Sequence, residues 1–249
     1  MGLSARRIGR GSGQHLVAHL RSFLRFLAAK GQCSSGLHTT IDTPRLYRLE
    51  QLPRALPWET VQTLLGSIDR STTIGLRDYT MLFLIASYGL RVGEVAALTL
   101  DHIHWREGWL QVPQGKTRSS LKLPLTDRVA ETLVHYLRHA RPDQVLCRAL
   151  FLRSRIPIRP LGRTAVSMVF DRWAKHSGLT IPFGGAHCLR HAYAVHLLRS
   201  GASLKTIGDL LGHRDSDSTY VYLRLATEEL REVALPLPTL SSPRQQEAL

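Results

Sequence analysis

The chain contains 249 residues, of which 43% are hydrophobic, and it carries a formal net charge of +14 with a pI near 10.5. This length accommodates one large domain, or one domain with a smaller partner, and the apolar content suffices for a buried core. Because lysine and arginine are spread along the chain, we predict a polyanionic partner, with nucleic acid as the first candidate. A ribosome-associated or simply basic protein is the alternative.

The cysteines and the distribution of apolar residues indicate the cellular compartment of the protein. The three cysteines, Cys33, Cys147 and Cys188, show no CxxC spacing, which disfavours a disulfide framework and favours a reducing cytosol. No apolar run reaches membrane-spanning length, and the N-terminus lacks the long apolar segment of a signal peptide. We therefore expect a soluble, cytoplasmic protein with no membrane partner.

One amphipathic helix is predicted near the N-terminus. Residues 1–14 are basic and glycine-rich and are expected to be disordered at their start. Residues 15–30 then form a helix whose apolar stripe comprises Leu16, Leu20, Phe23, Leu24 and Leu27. Arg21 and Arg25 lie four residues apart on this helix and are candidate contacts to nucleic acid.

A linker and a buried helix follow. Residues 32–52 contain Ser-Ser-Gly and Thr-Pro without sustained periodicity, so we interpret them as an interdomain linker. Pro57 opens a short helix. The stretch 75–88 is almost wholly apolar after Asp78, which predicts the central buried helix of the fold, ending at Gly89.

An arginine stands directly after that buried helix, in the sequence Gly89-Leu90-Arg91-Val92-Gly93-Glu94. A charge at the edge of a core is costly unless it is used. Arg91 is therefore a candidate ligand for an anion, supported by Glu94. A surface ion pair between the two residues is an equally weighted alternative.

A β-hairpin is predicted from residues 109–113 and 121–125, which alternate around the polar turn GKTRSS. Lys116 and Arg118 lie in this turn, and Lys122 follows in the second strand. Taken alone, Lys116 is an ordinary turn lysine. Helices 126–139 and 164–177 come next, on either side of an irregular, arginine-containing segment, residues 142–160.

The stretch 187–222 contains more polar chemistry than a core requires. His187 and Arg190 share one face of a helix that ends at Ser200-Gly201, and His191 follows at core-facing spacing. A second helix, residues 204–211, is capped by Ser203 and ends at Gly212-His213. A short polar run then leads to Tyr220 and Tyr222.

The order H-x-x-R-H, L-G-H and a tyrosine nine residues later resembles the tyrosine recombinases of the phage integrase family. The matching residues are His187, Arg190, His191, His213 and Tyr222. Upstream, G-L-R-x-x-E matches the family's first arginine box at Arg91 and Glu94, and Lys116 occupies a hairpin turn as the family's lysine does. The resemblance covers roughly residues 53–235.

The resemblance implies the fold and its divisions. The expected fold is mainly α with a small antiparallel β-sheet (α+β), the catalytic-domain fold of tyrosine recombinases. Residues 1–31 would be a shortened remnant of an N-terminal DNA-binding helical module, joined by the linker to a catalytic domain at 53–235. Residues 236–249 would be a flexible C-terminal tail.

It also implies a reaction at phosphorus. Tyr222 would be the nucleophile and form a 3′-phosphotyrosyl intermediate, while Arg91 and Arg190 clamp the phosphate oxygens. Lys116 would protonate the leaving 5′ oxygen, and His187 and His213 would handle the tyrosine's proton and hydrogen-bond the phosphate. Glu94 and His191 would have supporting roles.

The implied partner is double-stranded DNA at specific recombination sites, bound by a homotetramer in the nucleoid. No cofactor or metal ion is implied, because the arginines supply the positive charge. The residues expected to contact DNA are Arg21, Arg25, Arg118 and Lys122.

Several alternatives accompany this interpretation. Tyr220 lies two residues from Tyr222, but the spacing from His213 favours Tyr222 as the nucleophile, and Tyr220 is expected to pack. A zinc site at His187, Cys188 and His191 is disfavoured because no HExxH glutamate is present. Metal-dependent and serine nucleases are disfavoured by the absence of a clustered acidic set, and a tyrosine topoisomerase would not carry both histidine boxes. From another class, the chain could be a catalytically impaired DNA-binding accessory or regulatory protein of a mobile element.

Overall fold

The structure, a computed structural model, describes residues 10–45, 54–115, 119–143, 146–212 and 218–223. The chain divides into two compact units, residues 1–51 and residues 52–249. The predicted tail at 236–249 lies outside the described residues.

The N-terminal unit is built on helix α1, Arg10–Ala29, followed by a 3₁₀ turn at Leu37–Thr39. Helix α1 begins five residues earlier than predicted, so residues 10–14, which the sequence did not assign to the helix, are helical. A tertiary contact overrides the low helix propensity of this glycine-rich start, because Gln14 Nε2 donates to the Pro44 carbonyl at 2.7 Å. Part of the predicted linker, residues 41–44, thus hydrogen-bonds to α1.

The second unit contains seven further named helices among its described residues and one sheet. The helices are α2 Trp58–Gly66, α3 Thr73–Tyr88, α4 Val92–Ala96, α5 Asp127–His139, α6 Arg163–His176, α7 His187–Arg199 and α8 Leu204–Leu211. Residues 218–223 are also helical, where a polar run without assigned structure had been predicted.

The sheet is antiparallel and has the order β1–β2–β3, formed by Ile103–His104, Trp109–Pro113 and Ser120–Pro124. The predicted hairpin is β2–β3, with Leu110 opposite Leu123 and Gln111 opposite Lys122. Strand β1 was not predicted, because two residues are too few to show an alternating pattern. The expected class, mainly α with a small antiparallel sheet, is confirmed.

Helix α3 is the centre of the core. Its residues from Gly75 to Tyr88 are nearly all buried, and it packs against α5, α6 and α7. A helix that is apolar on all sides requires neighbours on all sides, which explains this position. The Thr72 side chain caps its start by accepting from the Gly75 N–H at 3.0 Å, and Gly89 ends it in the left-handed conformation.

One carboxylate lies fully within this core. Asp78 has no exposed surface and pairs with Arg77 beside it on α3 and with Arg172 on α6. Its second oxygen also accepts from Trp173 Nε1 at 2.9 Å. The buried charge therefore fixes α6 onto α3 through several directed contacts.

We expect Asp78→Asn to lower the free energy of unfolding by about 3 kcal/mol, because it leaves the Arg77 and Arg172 charges without their buried partner. Urea denaturation followed by circular dichroism measures the change. Arg148→Gln is the matched control, since its pair with Asp101 is exposed on both sides and should leave the midpoint unchanged. Equal effects of the two substitutions would contradict this role for Asp78.

Candidate active site

The first component of the site is the ion pair of Arg91 and Glu94 at the start of α4. The Glu94 carboxylate accepts from the Arg91 backbone N–H at 2.7 Å and from its guanidinium Nη1 at 2.7 Å. Glu94 is buried, whereas the Arg91 side chain is 41% exposed. The surface-pair alternative is therefore only half correct, because a buried carboxylate orients a guanidinium that remains accessible to a ligand.

The second component is a buried arginine on α7. Arg190 is 2% exposed, and its guanidinium donates to the carbonyl of Gly89 at 2.6 Å and to that of Leu211 at 2.8 Å. Both acceptors stand at helix C-termini, where the carbonyls carry partial negative charge. The charge of Arg190 is thus held in place by the ends of α3 and α8.

The turn that leads into α7 is fixed by a carboxylate. Asp171 on α6 accepts from the Gly185 N–H at 2.7 Å, and Gly185 has a φ of 85°. The positive φ favours glycine at position 185. The close approach of the backbone to the Asp171 carboxylate favours glycine at position 184 as well. Helix α7 consequently starts at His187, with Arg190 one turn further along.

Two histidines of α7 lie next to each other. The rings of His187 and His191 meet edge to face, with centroids 4.5 Å apart. His191 Nδ1 lies 3.0 Å from the hydroxyl of Tyr222, which belongs to the helical residues 218–223. The structure therefore places the predicted nucleophile against α7, in contact with a histidine that had been given only a supporting role.

The two tyrosines of this segment have different environments. Tyr222 is 2% exposed and packs with Ala194, Val195, Ile207 and Leu211, whereas Tyr220 is 54% exposed. The packing role suggested for Tyr220 was therefore wrong, since it is Tyr222 that packs and also faces the histidine.

Burial and charge shift the pKa values of these groups. Burial, together with the neighbouring positive charge of Arg91, lowers the pKa of Arg190 to about 10, so it remains protonated at neutral pH. Burial raises the pKa of Tyr222, and the charges of Arg190 and Arg91 partly oppose that rise. Desolvation and the same two arginines lower the pKa of His187, which favours its neutral form.

The charge balance of the site favours an anion. Arg91 and Arg190 repel each other electrostatically, and their charges lower the pKa values of His187 and Tyr222. Glu94 is the carboxylate that pairs with Arg91. The positive charge of the two guanidinium groups matches the recognition of a phosphate.

Three of the predicted site residues, Lys116, Arg118 and His213, lie outside the described residues. Of the other predicted DNA contacts, Arg25 is exposed, while Arg21 donates to the Ile41 carbonyl within the N-terminal unit. Lys122 lies over the Trp109 ring, 4.4 Å from its centroid, and Trp109 stacks on His104.

Neither a metal site nor a membrane span is found in the part of the chain that the structure describes. The Cys188 thiol donates to the Gly185 carbonyl at 3.3 Å, and among the described residues no three His, Cys, Asp or Glu side chains are grouped as metal ligands. No described helix is both long and apolar enough to cross a bilayer.

The sequence of this chain is similar to those of known proteins. The sequence profile of the phage integrase family matches residues 54–229. The chain is 40% identical to the integrase/recombinase y4rA of Sinorhizobium fredii, over 88% of this chain and 53% of that protein. It is 34% identical to the tyrosine recombinase XerD of Listeria monocytogenes, over 93% of this chain and 76% of XerD. The chain thus spans about half the length of the first relative.

A solved structure shares the fold. The lambda integrase tetramer bound to a Holliday junction matches with a TM-score of 0.63 and 22% identity, covering 86% of this chain and 59% of the lambda chain. At this identity the match shows the architecture alone, and it confirms the catalytic-domain fold expected from the motifs.

We expect Arg190→Lys to lower the free energy of unfolding by about 2 kcal/mol, because an ammonium group cannot reach both the Gly89 and the Leu211 carbonyl. Arg91→Lys, at a half-exposed side chain, should cost less than about 1 kcal/mol. Chemical denaturation of both variants measures the difference. A larger loss for Arg91→Lys would contradict the assignment of Arg190 as the structural anchor.

We expect the imidazole of His187 to titrate below the value of 6.5 for an unperturbed histidine, and Arg91→Gln to raise its pKa by removing one nearby charge. Since folding favours neutral His187, its contribution to stability is present above the unfolded value and falls as the pH drops through it. NMR titration of the His187 ring in the parent and in Arg91→Gln gives the two pKa values to be compared. An unchanged pKa in the variant would show that Arg91 does not act on His187.

Proposed function

The chain belongs to the phage integrase family, and we propose that it is a DNA recombinase that breaks and rejoins strands at specific sites through a 3′-phosphotyrosyl intermediate. The observation that carries this proposal is the position of the Tyr222 hydroxyl. It faces α7 at His191, within the electrostatic influence of Arg190 and Arg91. A nucleophile and a phosphate clamp are therefore adjacent.

The two arginines would perform the electrostatic part of the reaction. Attack on a phosphodiester gathers negative charge on the non-bridging oxygens, and guanidinium groups bind two such oxygens at once. Arg190 is held rigidly by the Gly89 and Leu211 carbonyls, so little reorganisation is needed when that charge develops. This supply of positive charge makes a metal ion unnecessary.

Tyr222 would supply the covalent step. Its oxygen bonds to phosphorus as the bond to the 5′ oxygen breaks, so the energy of the phosphodiester is retained for rejoining. By resemblance, Lys116 would donate the proton that the 5′ oxygen needs. His187, kept neutral by its surroundings, and His213 would hydrogen-bond the phosphate oxygens.

The proposed partner is double-stranded DNA, and the net charge of +14 supports it. The lambda integrase to which the chain is similar forms a tetramer on a Holliday junction. We extend this arrangement to the present chain and expect a homotetramer on two DNA sites. Among the residues expected to contact DNA, Arg25 and Lys122 are described and exposed, and we propose that they contact the phosphate backbone.

We expect the protein to form a covalent adduct on a nicked substrate, because the nick lets the cleaved end diffuse away and prevents rejoining. The recognition site is first selected from a random-sequence duplex library. Denaturing gel electrophoresis with and without EDTA then detects the adduct, which should be insensitive to chelation and absent in Tyr222→Phe.

Tyr220→Phe is the matched control and should retain the adduct, since Tyr220 is exposed and outside the site. An adduct that survives in Tyr222→Phe but is lost in Tyr220→Phe would move the nucleophile to Tyr220. Tight, salt-sensitive binding on a selected site with no adduct would instead support the accessory-protein alternative.

A further inference from the structure

The contact between His191 and Tyr222 joins two segments that lie 31 residues apart in the chain. His191 directly follows Arg190 on α7, and Tyr222 lies in the helical residues 218–223. The Nδ1 atom is 3.0 Å from the phenolic oxygen, and the ring centroids are 5.6 Å apart. This is the distance at which a proton passes between a phenol and an imidazole.

The surroundings of Tyr222 make a proton acceptor necessary. The residue is 2% exposed and packs among apolar side chains of α7 and α8, including Val195 and Ile207. Burial raises the pKa of its hydroxyl, so the phenolate is harder to form here than in water. With bulk water largely excluded, the proton must pass to a group that already touches the oxygen.

His187, the first histidine of the motif, is less well placed for this step. It lies near both positive charges of the phosphate clamp. That position suits a hydrogen bond to the substrate phosphate. His191 lies one helical turn further along α7, on the side of Tyr222.

We propose that His191 is the catalytic base that removes the proton of Tyr222, an assignment that rests on the proposed recombinase function. The Oη–H bond breaks and its proton moves to Nδ1, which requires the tautomer with hydrogen on Nε2. The Oη–P bond forms, the bond from phosphorus to the 5′ oxygen breaks, and the general acid protonates that oxygen. In rejoining, the 5′ hydroxyl returns its proton to the deprotonated general acid as its oxygen attacks phosphorus. The Oη–P bond breaks, and His191 returns its proton to the departing tyrosine oxygen.

The first test compares adduct formation by the full chain and by His191→Asn. Asparagine can still hydrogen-bond the Tyr222 hydroxyl but cannot accept its proton, so the rate should fall by about 100-fold or more. His196→Asn is the matched control on the same helix. Its ring stacks on Trp58 at 4.1 Å, outside the site, and the rate should stay near that of the parent.

The second test separates the base from the general acid. A substrate with sulfur in place of the bridging 5′ oxygen has a leaving group that needs no protonation. The defect of His191→Asn should persist on this substrate, because the attacking proton must still be removed. The defect of Lys116→Ala should shrink, and recovery of His191→Asn instead would overturn the proposal and assign His191 to the leaving-group side.

The third test replaces Tyr222 by a more acidic fluorinated tyrosine. Such a phenol has a lower pKa and depends less on a base. With it in place of Tyr222, the ratio of the adduct-formation rate of the parent to that of His191→Asn should fall several-fold or more. An unchanged ratio would indicate a structural role for His191. A parent chain that forms no adduct on either substrate would refute the recombinase proposal itself, whereas an active parent with an equally active His191→Asn would refute only the role of His191.

Discussion

The structure of the site depends on the buried charge of Arg190. A guanidinium withdrawn from water must be satisfied by fixed acceptors, and here these are the carbonyls of Gly89 and Leu211. Each lies at the C-terminus of a helix, so α3 and α8 must end where they do. A β-carbon at Gly89 would lie 2.5 Å from Leu211 and 2.7 Å from Tyr193, which shows how closely the two helix ends and α7 converge. The left-handed conformation and the close approach both require glycine at this position.

This anchoring leaves a surplus of positive charge facing the ligand. Arg91 shares its charge with Glu94, whereas the bonds of Arg190 are to neutral carbonyls. Helix dipoles reduce the cost of burying Arg190 but do not cancel its charge. The two guanidinium groups therefore repel each other, and a phosphate bound between them in the proposed reaction would relieve that repulsion. Stability and anion affinity thus oppose each other at this site, as is common for preorganised electrostatic sites.

The sequence predicted what depends on local spacing. Residues that share one helix face, such as His187 and Arg190, and helix ends marked by Gly89 and Gly212 were placed correctly. Contacts between distant segments were not predictable. Periodicity predicts which face of α7 His191 occupies. It does not predict that Tyr222 contacts this face, because that depends on the path of the chain after α8. The buried pairing of Asp78 was missed for the same reason, because its partners on α6 are nearly a hundred residues away.

The position of Tyr222, the proposed nucleophile, explains why a neutral base would suit this site. Tyr222 packs in a small apolar cluster formed with α7 and α8, separate from the main core around α3. Burial raises the pKa of Tyr222, and the charges of Arg190 and Arg91 lower it. A bound phosphate neutralises these charges, so the electrostatic help to the phenol is weakest when the substrate is present. An uncharged imidazole in direct contact with the hydroxyl does not depend on that charge. In the proposed reaction, His191 would therefore still accept the proton at the moment of attack, when the charges of the arginines are neutralised by the substrate phosphate.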